Sequence, residues 1–351
     1  MHVLVATDAW HPQVNGVVRT LAMMAEAAKG FGVEVSFITP LSFRTFALPS
    51  YRDVRVALPG PATIARLIEA ARPDSIHIAT EGPIGLLVRR YCRRHQVPFT
   101  TSFHTRFPEY ISARLPIPEK WIWAALRWFH GTSEAVMAAT PALAGELRGR
   151  GFRNVVLWPR GVDAGQFHPR SVDLGLPRPV FLCVGRVAVE KNLEAFLELD
   201  LPGSKVIVGD GPARAALARK YPDAVFLGAR QGEALAEAYA AADVFVFPSK
   251  TDTFGLVLLE ALASGLPVAA FPVTGPRDVI GSEPVGVLNE DLRTACLSAL
   301  TVSKQACLAF AARHTWEASA RAFVEHVGNV RSADPEADTV QFAAENPGFV
   351  A

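Results

Sequence analysis

The sequence contains no apolar run approaching the roughly 18 residues that a membrane-spanning helix needs. It therefore predicts no transmembrane segment, and because a strand pattern already begins at His2, it predicts no signal peptide. Cysteine is also scarce, and the four thiols are far apart and lack the spacing of metal ligands. We expect Cys92, Cys183, Cys296 and Cys307 to be reduced and buried, as in a cytoplasmic protein.

The first predicted βα turn lacks the Gly-x-Gly-x-x-Gly sequence of dinucleotide-binding proteins, which argues against a dinucleotide cofactor. The loop 8–16 ends instead in Asn15-Gly16, directly before a predicted helix. A glycine at a helix start lets the backbone approach a phosphate, but a plain helix cap explains the same pair. Both roles remain open on the residues alone.

Charge is balanced over the chain but unevenly distributed. The 351 residues have a net charge of +1, with 19 lysines and arginines against 12 acidic residues up to residue 165, and 16 against 22 after it. A basic first half suits an anionic surface, or it is a solvated exterior that the second half balances. The length and the hydrophobic content of 50% predict two folded domains with ample core.

The segment 249–272, SKTDTFGLVLLEALASGLPVAAFP, organises the second half. A β-rich run ends at Pro248, a polar turn follows, and Phe254-Gly255 opens an Ala/Leu-rich helix that ends at Gly265. The turn is therefore predicted at the carboxyl end of a parallel strand, where α/β sheets bind ligands. Backbone N–H groups from Phe254 onward would point at an anion or a sugar oxygen.

Two carboxylates accompany this turn. Asp252 lies in it and Glu260 follows eight residues later, so that the two acids could reach different parts of one elongated ligand. In a plainer interpretation, the helix dipole stabilises Asp252 and water solvates Glu260. The residues alone do not decide between the two interpretations.

The whole pattern, an acid before Phe-Gly and a closing Glu-Ala-x-Ala-x-Gly-x-Pro-Val, resembles the signature of glycosyltransferase family 4. The resemblance extends over roughly residues 1–328 and implies a retaining, nucleotide-sugar-dependent enzyme of the α/β GT-B fold. In that fold two Rossmann-like domains face each other across a cleft, and the C-terminal helix crosses back to the N-terminal domain. The TDTFG variant resembles the branch of lipid-directed α-mannosyltransferases and sulfolipid or glucuronosyl-diacylglycerol synthases. The usual first acid of the family is Glu, so Asp252 is a departure that shortens the side chain by one methylene.

The resemblance assigns roles in the first half. Gly16, with Asn15 beside it, would lie against the donor diphosphate. His104 follows the predicted strand 97–102 in the stretch SFHT and would orient a hydroxyl of the transferred sugar. A lone histidine is more often structural, but a position just past a strand end favours chemistry.

In the second half a predicted strand ends in Gly185-Arg186, and Lys191 follows. Two cations at a strand end suit a diphosphate because they neutralise charge on the leaving group, although isolated charges are ordinarily surface residues. The resemblance gives Arg186 and Lys191 this catalytic role, together with His104 and Asp252. The resemblance also implies that Glu260 binds the ribose hydroxyls of the donor. Further contacts with the donor are expected at Gly185, Gly209, Gly211, Gly228, Arg230, Thr253, Phe254, Gly255 and Leu256.

No Asp-x-Asp metal sequence is present, and Arg186 and Lys191 can replace a cation, so we expect no metal and no cofactor. The resemblance further implies a reaction on the front face of the donor, in which the leaving phosphate accepts the proton of the acceptor. No residue is nominated as a covalent nucleophile.

Tryptophans and cations alternate along residues 106–131. This suits a membrane interface, or a core helix whose tryptophans pack under the sheet. The expected partners are a nucleotide-sugar donor and a lipid acceptor at the cytoplasmic membrane surface, which a peripheral cytoplasmic protein would reach; no nucleic acid is expected. The oligomeric state is left open. Candidate acceptor-side residues are Glu81, Arg106, Trp121 and Trp123.

The sequence thus predicts an N-terminal acceptor-binding domain at 1–165, a nucleotide-sugar-binding domain at 166–315, a crossover helix at 316–330 and a disordered tail at 331–351. The expected activity is retaining transfer of a hexose (mannose, glucose or glucuronic acid) to an acceptor hydroxyl. The alternative, motivated by Asp252, is an inactive nucleotide-sugar or lipid-binding protein of the same fold. An epimerase or phosphorylase would need an acid pair or a cofactor-anchoring lysine that we do not locate in the sequence.

Overall fold

The chain divides into two compact units. Unit 1 comprises Met1–Pro159 together with the chain from Ser319, and unit 2 comprises Arg160–Ala318. The predicted tail at 331–351 lies outside the described residues. The structure, a computed structural model, describes residues 1–13, 15–48, 51–104, 117–252 and 254–329.

Unit 1 is built on short apolar strands that are bounded by polar turns. They are β1 (His2–Ala6), β2 (Glu34–Ile38), β3 (Thr45–Leu48), β4 (Tyr51–Ala57), β5 (Ser75–Ile78), β6 (Phe99–Phe103), β7 (Ala135–Ala138) and β8 (Val155–Leu157). Within the described residues, a six-stranded parallel sheet has the order β2-β1-β5-β6-β7-β8, and β3 and β4 form a separate antiparallel pair. The strand order reverses between β1 and β5, which is where open α/β sheets bind ligands at the strand ends.

Helices cover this sheet because alternate residues of its strands are apolar on opposite faces. Leu4 and Ala6 pack in one core cluster, while Val3 and Val5 pack in the other. Three of the helices begin with proline, which is favourable because the first N–H groups of a helix have no partner within the helix. The helices are α1 (Gly16–Ala28), α2 (Pro61–Ala71), α3 (Pro83–His95), α4 (Glu119–His130) and α5 (Pro141–Gly149).

Unit 2 repeats the architecture, with the parallel order β11-β10-β9-β12-β13-β14 among its described strands. These are β9 (Val180–Val184), β10 (Ser204–Val208), β11 (Val225–Gly228), β12 (Val244–Phe247), β13 (Val268–Ala270) and β14 (Gly286–Leu288). Its helices are α6 (Glu194–Leu197), α7 (Arg214–Lys220), α8 (Gly232–Ala240), α9 (Leu256–Ala263), α10 (Thr274–Ile280), α11 (Leu292–Ala299) and α12 (Lys304–Ala311). Side chains such as Phe181 and Phe245 are fully buried on opposite faces, and each contributes about 1.5–3 kcal/mol by burial.

The last helix, α13 (Trp316–Gly328), starts in unit 2 and continues into unit 1. Phe323 and Val327 are fully buried there against β1 residues and Trp158. The Ser75 hydroxyl donates to the Val327 carbonyl at 3.0 Å, which fixes the end of the helix. The predicted return of the C-terminal helix to the N-terminal domain is confirmed.

All four cysteines are unpaired and buried, as expected. Burial raises the pKa of Cys92, Cys183 and Cys296 to about 12 and that of Cys307 to about 11. No single helix in the described ranges is long and apolar enough to cross a membrane; α11 and α12, bent by 98°, meet that criterion only when taken together. Both of these helices contribute buried residues to the core of unit 2.

Candidate active site

The loops after β9 and β12 lie beside each other at the carboxyl edge of the unit 2 sheet, because these strands are neighbours. Lys191 ends the 3-10 turn Val189–Lys191 after β9, and Asp252 lies in the turn after β12. Their Nζ and Oδ1 atoms are 2.5 Å apart, and the side chains are 28% and 23% exposed. The sheet therefore brings together two predicted catalytic residues that are 61 positions apart in the sequence.

The other carboxylate oxygen of Asp252 differs from the first. Oδ2 is buried and makes no hydrogen bond with any residue that the structure describes. A buried acceptor without a donor costs roughly 1–3 kcal/mol, so a ligand hydroxyl would be a favourable partner. The ion pair with Lys191 fixes one oxygen of Asp252 and leaves the other for a ligand.

Glycines shape the neighbouring loops in two different ways. Gly185, with φ +154°, has no described heavy atom within 4 Å of the position a Cβ would occupy, so a ligand can approach its backbone; Arg186 follows it, partly buried. At Gly209 a Cβ would lie 1.8 Å from the Gly185 carbonyl oxygen, and at Gly211 it would lie 2.4 Å from that of Val187. At Gly209 and Gly211, two expected donor contacts, one loop backbone therefore crosses close to another.

The two remaining sheet-edge positions lie one strand further out. Gly228 ends β11, and its carbonyl accepts the Gly209 N–H at 2.9 Å. Arg230 is exposed, and its Nε donates to the Leu227 carbonyl at 3.3 Å. Both residues stand at the same carboxyl edge as Gly185, and the family resemblance implies donor contacts for all three.

Helix α9 begins as predicted after Phe254-Gly255. Gly255 adopts φ +85° as the N-cap, a left-handed conformation that glycine accepts without steric cost. Leu256 is the first residue of the helix, so the N–H groups at this end lack partners in a preceding turn of the helix, and the helix directly follows the loop that contains Asp252. Thr253, a predicted donor contact, lies outside the described residues.

Glu260 is buried, with 3% of its surface exposed, so the interpretation of a solvated glutamate is wrong. The Tyr239 hydroxyl on α8 donates to Glu260 Oε2 at 2.9 Å, and Tyr239 is itself fully buried. Carboxylates are rarely buried without hydrogen-bond partners, because desolvation is costly. The hydrogen bond from Tyr239 therefore offsets part of the desolvation cost of burying the Glu260 carboxylate.

In unit 1, His104 follows β6 at the carboxyl edge, where the sequence predicted it. Its Nε2 lies 2.8 Å from the Ser102 hydroxyl oxygen. Its ring stands edge-on to Trp158, with 5.7 Å between the ring centroids. The ring is therefore held on two sides.

Glu81 lies in the loop after β5, and one of its carboxylate oxygens is 3.2 Å from Nε2 of the buried His130. Sequence reasoning missed its neighbour Asp8, which accepts hydrogen bonds from the Ile84 N–H at 2.9 Å and the Thr80 hydroxyl at 3.0 Å. Burial raises the pKa of Asp8, while its backbone hydrogen bonds lower it. An acid directly after the first strand, at the point where strand order reverses, is the signal that could have identified it.

Asn15 caps helix α1. Its Oδ1 accepts the N–H groups of Val17 and Val18 at 3.0 Å, and its Nδ2 donates to Gln13 Oε1 at 3.0 Å. The Asn15 side chain therefore acts as the N-terminal cap of helix α1. Gly16 is the exposed first residue of the helix, which leaves its backbone accessible.

The tryptophans of α4 point in different directions. Trp121 is 65% exposed, whereas Trp123 is 3% exposed and packs on Phe103 and Phe152. The prediction that Trp123 faces an acceptor or a membrane is wrong, because its position in the helix repeat places it in the core. Arg106, the remaining acceptor-side candidate, lies outside the described residues.

Comparison with solved structures identifies the fold. Sucrose-phosphate synthase from Thermosynechococcus elongatus matches with a TM-score of 0.71 and 20% identity, over 98% of this chain and 99% of that one. Anabaena HepE in complex with UDP matches with a TM-score of 0.71 and 16% identity, over 94% of this chain and all of that one. The fold is that of the GT-B glycosyltransferases, as the sequence predicted.

Sequence comparison defines the family. Residues 14–166 match the profile Glycosyltransferase Family 4, and residues 178–301 match Glycosyl transferases group 1. A GDP-mannose-dependent alpha-mannosyltransferase of Mycobacterium tuberculosis is 34% identical over 82% of this chain and 83% of its own length. The chain belongs to glycosyltransferase family 4.

Two further relatives bear on the branch of the family. The sulfoquinovosyl transferase of Arabidopsis thaliana is 33% identical over 69% of this chain and 51% of its own length. An alpha-monoglucosyldiacylglycerol synthase of Streptococcus pneumoniae is 25% identical over 86% of this chain and 78% of its own length. The predicted resemblance to the lipid-directed branch agrees with these relatives.

Proposed function

We propose that this glycosyltransferase moves a hexose from a nucleoside-diphosphate sugar to a hydroxyl of a lipid or glycolipid, with retention of configuration and without a metal ion. The observation that carries the proposal is the Lys191–Asp252 ion pair, with its unsatisfied Asp252 Oδ2, at the carboxyl edge of the unit 2 sheet. An ammonium group and a carboxylate oxygen side by side fit a diphosphate and the sugar attached to it. The name of one relative, an alpha-monoglucosyldiacylglycerol synthase, supports the lipid acceptor.

The roles follow from charge and position. Lys191 and Arg186 neutralise the departing diphosphate, helped by N–H groups at the start of α9. Asp252 Oδ2 accepts a hydroxyl of the sugar, and Glu260 accepts the ribose hydroxyls. In unit 1, His104 orients the sugar.

Nucleotide binding tests this assignment directly. We expect calorimetry to detect binding of GDP, UDP or ADP, with a dissociation constant of roughly 1 μM to 1 mM, the usual range for enzyme substrates. Absence of heat with all three would contradict a transferase. Release of the free nucleoside diphosphate from the matching nucleotide-sugar, together with a glycosylated product, separates an active enzyme from the inactive binding protein.

A surface of unit 1, here called the α3–α4 face, supports a membrane-bound acceptor. Arg89 of α3 stacks on the Trp128 ring of α4 at 3.9 Å and donates to the Trp128 carbonyl at 2.7 Å, which joins the two helices. Burial lowers the pKa of Arg89, with a further contribution from the nearby Arg93. The remaining side chains of this face are exposed apolar, aromatic or basic groups: Leu86, Arg90, Arg93, Arg94, Lys120, Trp121, Arg127 and Trp128.

Exposed tryptophans among cations suit a bilayer that contains anionic lipid, because the rings enter the interface and the cations meet the phosphates. In this proposal the α3–α4 face holds the enzyme at the membrane.

A separate small pocket of unit 1 is a candidate site for the acceptor head group. It has a volume of about 150 Å³, lies at the ends of β1 and β2, and is lined by Trp10, Phe43, Thr45 and Arg55 among others.

The double variant Trp121→Ala/Trp128→Ala tests the α3–α4 face. Unmodified protein is expected to co-sediment with vesicles of phosphatidylglycerol and phosphatidylcholine at low salt, and about 1 M NaCl should release it because the Debye length falls to about 3 Å. The double variant should stay in the supernatant, while Leu300→Ala, at an exposed apolar residue of unit 2, should behave like the unmodified protein. Absence of the unmodified protein from the pellet at every salt concentration would reject membrane binding.

A further inference from the structure

Strand β6 carries three consecutive buried hydroxyl residues, Thr100, Thr101 and Ser102, in the interior of the unit 1 sheet. Two of them contact His77 of the neighbouring strand β5, which is also fully buried. His77 Nδ1 lies 2.8 Å from the Thr100 hydroxyl oxygen, and its Nε2 lies 3.1 Å from that of Ser102. Ser102 in turn lies 2.8 Å from His104 Nε2.

These contacts form one continuous hydrogen-bond chain from the core to the carboxyl edge of the sheet. Each hydroxyl has a single proton and each neutral imidazole has a single N–H, so the direction of one bond fixes the direction of the next. Buried networks of this kind specify one arrangement when every member is satisfied. The tautomer of His104 is therefore coupled to groups that His104 does not touch.

Thr100 determines the donor-to-acceptor direction of the hydrogen bonds in this chain. Its hydroxyl has no second hydrogen-bond partner among the residues that the structure describes, so its proton is satisfied only by donation to His77 Nδ1. If His77 Nδ1 carried a proton instead, the Thr100 proton would be buried without an acceptor, which is unfavourable. Neutral His77 thus carries its proton on Nε2 and donates it to the Ser102 oxygen.

Ser102 accepts a hydrogen bond from His77 and donates the next one to His104. Having accepted from His77, its hydroxyl can donate to His104 Nε2 at 2.8 Å or to the Ala79 carbonyl at 3.5 Å, and the shorter contact is the stronger bond. His104 Nε2 is then an acceptor, and the neutral ring carries its proton on Nδ1. Trp158 and Phe323 stand edge-on to the His77 ring, with centroids 5.9 and 5.0 Å away, which restricts its rotation.

We propose that Thr100, His77 and Ser102 are positioning residues that hold His104 as its Nδ1–H tautomer. His104 thereby presents a hydrogen-bond donor at Nδ1 in a fixed orientation. The catalytic use of that donor, on an oxygen of the donor substrate, rests on the proposed function, whereas the tautomer itself does not. This hydrogen-bond relay, from Thr100 through His77 and Ser102 to His104, explains why the hydroxyl side chains of Thr100 and Ser102 occupy the interior of a central strand, where apolar residues are usual.

The tautomer is measurable without substrate. Long-range 1H–15N spectra of protein labelled at its nine histidines distinguish the two neutral forms, and a His104→Gln variant identifies the His104 signal. We expect His104 with its proton on Nδ1. A wild-type His104 with its proton on Nε2 would overturn the proposal.

Two substitutions at Thr100, one isosteric and one conservative, act three hydrogen bonds away from His104. Thr100→Val removes the hydroxyl and should shift His104 towards a mixture of tautomers, while Thr100→Ser keeps the hydroxyl and should preserve the Nδ1–H form. Ser102→Ala should have the same effect as Thr100→Val. An unchanged His104 tautomer in both Thr100→Val and Ser102→Ala would contradict the relay.

Activity provides a second readout. Thr100→Val and Ser102→Ala are expected to lower kcat roughly tenfold, with KM for the nucleotide-sugar nearly unchanged, as for other partners that orient a reacting group. The matched control is Ser36→Ala, which breaks the 2.7 Å His2–Ser36 contact on β1 and β2 and should leave kcat and the His104 tautomer unchanged. If wild-type protein transfers no sugar, the proposed function fails, while the spectra still decide the relay.

Discussion

Lys191→Ala is expected to lower kcat by roughly a hundred- to a thousandfold, with little change in folding. The ammonium group lies 2.5 Å from Asp252 Oδ1 at the edge of the unit 2 sheet, where it would meet the negative charge that grows on the leaving diphosphate. Removal of one preorganised donor to such a charge costs a factor of this size. Steady-state kinetics with the matching nucleotide-sugar measures it.

Lys220→Ala is the matched control for Lys191. Its Nζ also pairs with a carboxylate, Glu194, at 2.6 Å, but both side chains are more than half exposed. Exposed pairs of this kind contribute little to stability or function. Retention of more than half of the wild-type kcat in Lys191→Ala would remove Lys191 from the site, whereas equal losses in both variants would indicate a general effect of charge.

Glu260→Gln is expected to weaken binding of the nucleoside diphosphate roughly ten- to a hundredfold. The substitution keeps the shape of the buried side chain but removes the charge with which it would accept two ribose hydroxyls, and bonds to a charged acceptor contribute about 1.5–3 kcal/mol. Calorimetric titration of the variant with the same nucleotide that binds the unmodified protein gives the comparison.

The control for Glu260 is Tyr239→Phe, which removes the hydroxyl that donates to Glu260 Oε2 and keeps the ring. It should destabilise the protein by about 1 kcal/mol, through the lost hydrogen bond, and change nucleotide affinity less than Glu260→Gln does. Equal affinity losses in the two variants would mean that Glu260 acts only through the packing of α8 and α9. An unchanged affinity in Glu260→Gln would contradict ribose binding.

The local features of the candidate site could be predicted from the sequence. The turn at Asp252, the glycine start of α9 and the strand end before Arg186 each follow from a short pattern of apolar, polar and glycine residues. The carboxyl ends of parallel strands share one edge, so these patterns also predicted that the site lies there. The GT-B fold and the family were predicted by the resemblance that these residues carry to glycosyltransferase family 4.

The burial of individual polar and aromatic residues could not be predicted as well. Helix α4 has aromatic residues on more than one side, so a simple count of tryptophans did not separate Trp121 from Trp123. The spacing of the buried residues Trp123, Leu126 and Phe129 at three-residue intervals was the available signal. The plainer interpretation, in which water solvates Glu260, was wrong because the residues near Glu260 in the sequence do not indicate its hydrogen bond with Tyr239, which lies on α8.

Strand and helix periodicity and glycine conformations are local properties, so the two-unit α/β architecture and the residue types at the sheet edges could be read from the amino-acid order alone. The folded structure was needed to show that Lys191 pairs with Asp252, that Tyr239 donates to Glu260, and that Thr100, His77 and Ser102 form a chain to His104. The physical reason is that a hydrogen bond needs two groups within about 3 Å, and strand order and register set such distances between residues far apart in the chain.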